Sequence, residues 1–226
     1  MWHGRPFGRR LLYWSLLAAA VAAAGCAKKP KEEPETRLEG SGVTKTLERE
    51  LAPFPFLHVG GLVEAKVTIG KPHLTLRGDD NLVDALEVTA MDGHLSLVQP
   101  SVFKPKMTLS AELSTPELAE IIVDVASRTA VEGVRAQKLS LRGGGGARLS
   151  LTGTVDELEL SARGVAAFDL KELAVHRARV NVVDAASVTF GSVEELDVET
   201  HGAARVSYQG ETNITRSVGR PPSRRP

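Results

Sequence analysis

Between Lys138 and Gly210 apolar and polar residues alternate with period two inside a thirteen-residue pattern. It is written four times without an internal gap: LSLRGGGGARLSL (Leu139–Leu151), LELSARGVAAFDL (Leu158–Leu170), ARVNVVDAASVTF (Ala178–Phe190) and LDVETHGAARVSY (Leu196–Tyr208). The copies start 19, 20 and 18 residues apart, so slippage falls between copies and never within one. Period-two alternation rich in Val, Thr and Gly predicts strands. A fixed repeat near twenty residues predicts a solenoid whose units stack because none can bury its apolar face alone.

Laid in register, the copies give inward columns: Leu139, Leu158, Ala178 and Leu196; Leu141, Leu160, Val180 and Val198; Leu149, Phe168, Val188 and Val206. A valine column, Val155, Val175 and Val193, marks a third short side. The outward positions alternate in sign down the stack: Lys138, Glu157, Arg177 and Glu195 in one column, Ser140, Glu159, Arg179 and Asp197 in the other. Parallel neighbours avoiding like charge would produce this, so it tests the register independently. Gly145, Gly164, Asp184 and Gly202 fall in one column where the two strands of each copy meet, all residue types that tolerate positive φ. Two positions on, Ala147, Ala166, Ala186 and Ala204 predict a corner too tight for a larger inward side chain.

Upstream the alternation continues less regularly. Leu57, Val59, Val63, Ala65, Val67 and Ile69 predict half-buried strands interrupted at Gly60-Gly61, and Asp92-Gly93 predicts a hairpin turn or a coil corner. Asp79-Asp80-Asn81 before Leu82, Ala85 and Leu86 predicts one helical turn capped by Asp79 or Asp80. Met107, Leu109, Ala111 and Leu113 predict one more strand, and Leu118–Gly133 an irregular first rung, with Val123, Val125, Ala130 and Val131 near the later pattern.

The two ends break the pattern. Residues 1–26 carry Arg5, Arg9 and Arg10, an apolar run Leu11–Ala24, and Ala23-Ala24-Gly25-Cys26, the features of a cleaved signal peptide. Cys26 is the one cysteine of the chain, which excludes an internal disulfide. Its placement resembles the lipobox of bacterial lipoproteins, which implies acylation of Cys26 and a membrane anchor there; Ala27 resembles signals passed to the outer membrane. Residues 27–42 (AKKPKEEPETRLEGSG) nearly lack apolar side chains and are expected to be a flexible linker; residues 211–226 are expected to be a disordered tail. This leaves 43–210 as the folded domain, with regular rungs over 138–210. The formal net charge of zero argues against a nucleic-acid partner.

Candidate chemistry is sparse. The histidines His3, His58, His73, His94, His176 and His201 show no metal-ligand spacing, and there is no second cysteine. His201 could pair with Asp184 one coil away, against the plainer reading of a solvated corner histidine. Asp79, Asp80 and Asp84 lack the alternation of a calcium loop. Gly143–Gly146 lacks the Lys-Ser/Thr and following helix of a phosphate loop. No serine sits in a nucleophile elbow, and the acidic positions alternate with Lys or Arg instead of clustering as in glycan-cleaving enzymes. The residues therefore point to no enzyme, no catalytic or metal residue and no cofactor.

Phe56–Ile69, GDDNLVDALEVTAMDGHLSL (Gly78–Leu97) and the corners GGGGA, ARGVAA, VVDAAS and THGAAR resemble the bacterial family described as putative auto-transporter adhesin, head GIN domain. The resemblance spans roughly Gly40 to Gly210 and implies an all-β fold, a right-handed single-stranded parallel β-helix with coils of 18–20 residues on the cell envelope. It implies no catalytic or ligand residues. The expectation is a non-enzymatic envelope lipoprotein, a scaffold for adhesion or for binding an envelope protein or polysaccharide. A self-associating structural module, or a glycan-active β-helix enzyme, are the alternatives.

Overall fold

The computed structural model describes residues 37–225, so Cys26 and the signal segment lie outside the described residues. The described chain is nearly all β, with one short helix, Asp80–Ala85. Sixteen strands join in one large, mostly parallel sheet that does not close into a barrel, and Arg37–Glu39 pairs separately with Val102–Lys104.

The four copies pair in parallel, each with the next. Leu139 lies opposite Leu158, Leu158 opposite Ala178 and Ala178 opposite Leu196; further along, Leu149, Phe168, Val188 and Val206 are successive partners. All eight are buried, so the columns expected from the sequence line one continuous aliphatic core. The register shifts fall at Val131/Val134 and at Ser150/Thr152, the latter at the end of the first copy; one more, Leu196/Asp197, lies where the fourth copy meets Asn213–Val218. Most of each copy is thereby held in register, while its end and the connection to the next copy absorb the difference in length.

The corners follow the glycine column. Gly145, Gly164, Asp184 and Gly202 all have positive φ, between 60° and 71°. Each corner amide bonds the carbonyl one copy back, as in Val165 N–H to Gly145 O at 2.8 Å and Ala185 N–H to Gly164 O at 2.9 Å. A side chain at Gly145 would meet the Val125 backbone carbonyl at 2.7 Å. Behind the corners, Ala147, Ala166, Ala186 and Ala204 are fully buried, as their column requires. Gly143 has a different reason to be glycine: a Cβ there would lie 2.3 Å from the Phe168 ring.

The N-terminal part extends the same two faces. Phe56–Gly60 pairs in parallel with Glu120–Asp124, and Val63–Ile69 pairs with both Arg128–Glu132 and Leu109–Thr115. Asp92 and Gly93, at φ 51° and 77°, form the expected hairpin turn. Antiparallel strands Thr44–Glu50 and His73–Asp79 cover this end.

Four expectations need correction. The linker does not extend to residue 42, because Arg37–Glu39 is a strand and Asn81 Nδ2 bonds the Glu39 carbonyl at 2.8 Å. Polar anchors on the helical turn fix a segment too poor in apolar residues to fix itself. Asp79 does not cap the helix. Fully buried, its carboxylate accepts the N–H groups of Gly42 (2.7 Å), Lys106 (2.9 Å) and Met107 (3.0 Å). Asp80 accepts instead from its neighbour Asn81 N–H at 2.6 Å and from the Ser41 hydroxyl. Within the expected disordered tail, Asn213–Val218 is a strand parallel to Val193–Thr200, and Thr200 Oγ1 accepts Arg220 N–H at 2.7 Å. Backbone pairing at a sheet edge needs no apolar pattern in the added strand. Val125, expected with Val123 and Val131 near the later pattern, is not buried as they are: it occupies the first corner, exposed, at φ 63°.

Candidate binding face

Among the described residues His58, His94, His176 and His201 each lie beside one or two partners. His94 stacks on Phe56, with ring centroids 4.4 Å apart. His176 bonds Glu194 at 2.8 Å, and His201 bonds Glu199 at 2.9 Å. Asp184 does not pair with His201; its carboxylate accepts Gly164 N–H at 3.0 Å and braces the corner. Ser96, His58 and Asp124 lie in a row, with Ser96 Oγ 3.4 Å from His58 Nδ1 and Asp124 Oδ2 3.6 Å from His58 Nε2. Both separations are longer than the roughly 2.6–3.2 Å of a tight proton-transfer hydrogen bond. Among the described residues no three ligating side chains converge on a metal position.

Two faces of the sheet differ in what they present. The first, here the ladder face, carries the alternating charges. Arg177 lies between Glu157 and Glu195 in the strand register and contacts both, at 3.6 and 2.8 Å. Lys138 reaches Glu159 at 2.9 Å, and Arg142 reaches Glu120 at 3.2 Å. The hydrogen bond from Arg177, and then its charge, hold the Glu195 carboxyl below its ordinary range, and Glu195 raises the Arg177 guanidinium in return. Lys138 lowers Glu159 in the same way. Most of this surface's charge is thus spent within the protein.

The second face carries a trough of about 670 Å³. It crosses six neighbouring strands, from Leu109–Thr115 through Val63–Ile69 and the first halves of the three long strands to Ser187–Phe190. At about 4.8 Å per strand the trough is roughly 24 Å long. Its lining mixes small outward residues, Ser110, Ala130, Ser150, Ala167, Ser187 and Thr189, with charged ones, Glu64, Lys66, Glu112, Arg128, Arg148 and Asp169 among them. Arg128 bonds Glu64 at 2.9 Å and Lys171 bonds Asp169 at 3.0 Å. Arg148 and Arg225 line the trough without an ion-pair partner among the described residues.

Sequence reasoning passed over this face. Its signal was present in the outward column Arg148, Ala167, Ser187 and Arg205, which shows none of the sign alternation of its counterpart.

Residues 53–212 match the family described as "Putative auto-transporter adhesin, head GIN domain". Three solved structures share the fold. A putative adhesin from Bacteroides fragilis is 17% identical, with 83% of this chain and 95% of that one covered and a TM-score of 0.63. A putative adhesin from Parabacteroides merdae is 14% identical (83% and 98% covered, TM-score 0.56). A putative lipid binding protein from Parabacteroides distasonis is 15% identical (84% and 100% covered, TM-score 0.53). No curated protein matches the sequence significantly.

Proposed function

Since the chain belongs to the putative auto-transporter adhesin, head GIN domain family, we propose that it is a non-enzymatic scaffold of the bacterial cell envelope, and that the trough face binds its partner. The scaffold is a right-handed single-stranded β-helix. Copy-to-copy parallel pairing at offsets of 18 to 20 residues supports that reading, because one strand per coil then meets its equivalent one coil later. The protein is lipid-anchored at Cys26, in the outer membrane, through the acylated N-terminus implied by the lipobox resemblance. Among the described residues no helix is long and apolar enough to cross a membrane.

The observation carrying the binding role is the contrast between the faces. On the trough face small residues (Ser110, Ala130, Ser150, Ala167, Ser187 and Thr189) open a recess between charged ones across six strands, and Arg148 there lacks an ion-pair partner among the described residues. Such a recess is the usual form of a ligand site. Cross-linking and capture from intact cells tests this. Wild-type protein retains an envelope component and Ser150→Trp, which fills the trough, does not; equal retention by both sinks the reading. In the same cells Cys26→Ser moves the protein out of the membrane fraction, and unchanged fractionation removes the anchor.

A second reading, self-association, has one observation in its favour. Asn213–Val218 pairs on one side with Val193–Thr200 and has no strand on its other side among the described residues. Concentration-dependent size of the purified protein separates it from the first.

A further inference from the structure

Arg128 and Arg148 are direct partners on neighbouring parallel strands. Every other pair of charged side chains opposed in the described register joins unlike signs: Lys138 with Glu157, Glu157 with Arg177, Arg179 with Asp197, Lys66 with Glu112 and the rest. Parallel strands set the two arginines about 4.8 Å apart at their origins, where like charges destabilise. Glu64 faces Arg128 from the opposite strand and neutralises one of them, leaving the second charge uncompensated. A chain with zero net charge that alternates its signs so consistently elsewhere breaks the rule here, in the trough.

We infer that the trough takes a linear anionic polysaccharide, one of whose carboxylate or phosphate groups sits on the Arg128–Arg148 pair. This rests on the reading of the trough as the binding face. Guanidinium groups grip planar or tetrahedral oxyanions through paired N–H donors, and two side by side exceed what one Glu64 occupies. A trough of roughly 24 Å accepts several sugar rings in line. Ser110, Ser150, Ser187 and Thr189 offer hydroxyls along the floor, matching the hydroxyls of a saccharide. An acidic peptide fits less well. An extended peptide binds most readily by adding to a free strand edge, and this trough runs over the face of already paired strands. An acidic side chain could still reach the two arginines, so the test includes poly-glutamate.

The test measures binding of the full-length protein to polygalacturonate, a phosphodiester-linked polysaccharide, neutral dextran and poly-glutamate at fixed salt. The expected result is binding to at least one of the two anionic polysaccharides and none to dextran. Arg148→Ala should weaken it by about tenfold, the value of one lost charged hydrogen bond. Arg177→Ala on the ladder face should leave it unchanged. Which anionic polymer binds identifies the group held. No binding to either overturns the inference, as does equal weakening by Arg148→Ala and Arg177→Ala, which marks diffuse charge. Poly-glutamate binding as tightly as the polysaccharides replaces the saccharide with an acidic peptide. Failure here with loss of cellular capture in Ser150→Trp leaves the trough as the binding face and removes only this ligand; unimpaired capture removes the face itself.

Discussion

The ladder face and the trough face are built on the same interior and differ only in what they turn outward. Both descend through the same copies, stack in the same register and meet at the same corner, where Gly145, Gly164, Asp184 and Gly202 turn the chain. On the ladder face, Arg177 is shared by two carboxylates. On the trough face, Arg148 stands beside Arg128 over serine and alanine. The comparison teaches where selection for folding stops. Inward columns and corners are constrained by packing, whereas outward residues need only avoid conflict. A face that keeps such a conflict beside a recess is answering to something besides stability.

The largest effect tests the wall that both faces share. Ala166 is fully buried behind a corner, with Ala147 and Ala186 in the same column. Ala166→Leu should overfill the column and cost about 1–3 kcal/mol in denaturant unfolding. Wild-type stability would mean that the column does not separate the faces as described. The corner itself supplies the next largest effect, with the opposite sign. Val125 holds φ 63° with its side chain exposed, so glycine there removes backbone strain without removing buried area. After the entropic cost of glycine, Val125→Gly should stabilise by about 1 kcal/mol. A loss of stability would show that Val125 earns its place by a contact.

The ladder face is then tested by acid. Glu195 has its folded pKa lowered, so its contribution is fully present above the ordinary carboxylate pKa and is lost as pH falls through the folded value. Arg177→Ala removes the main cause of that depression. Thermal melts should therefore show wild type more stable than the variant at neutral pH, with the gap closing as pH drops through and below the carboxylate range. A gap independent of pH would mean that Arg177 acts by packing its stem, and the charge ladder would lose its role.

Much of this was legible in the chain. The columns, corner alanines, positive-φ positions and alternating charges follow from local period and from stacking at a nearly fixed offset, and both are written in the residues. Only part of the trough was legible, in the column Arg148, Ala167, Ser187 and Arg205, because two of its strands, Val63–Ile69 and Leu109–Thr115, come from the irregular part. Their order beside Arg128–Glu132 depends on long-range pairing that no period announces. Asp79 misled for a related reason. Its position before Leu82 has the look of a helix cap, but Gly42, Lys106 and Met107 bring their N–H groups to it from distant segments. Burial alone would push such a carboxyl up; the three N–H donors outweigh burial and hold it below its ordinary value. The tail misled because an edge strand is recruited by the backbone it meets, whatever its own composition.

The smallest expected effect is the one that bears hardest on the comparison. If outward residues of both faces served stability alike, truncating an arginine on either should cost something. Arg177→Ala removes contacts to two carboxylates, whereas Arg148 has none among the described residues and sits against another cation. Arg148→Ser should therefore leave the melting temperature at neutral pH unchanged or slightly raised, and adding salt, which screens the Arg128 repulsion, should shrink any gain. The serine also continues the small floor set by Ser150 and Ser187, so no new packing conflict enters. A clear drop in melting temperature would place Arg148 among the structural residues and erase the distinction between the faces. Unchanged or higher stability would instead show a charge kept at no benefit to folding, which is the mark expected of a residue held for a partner.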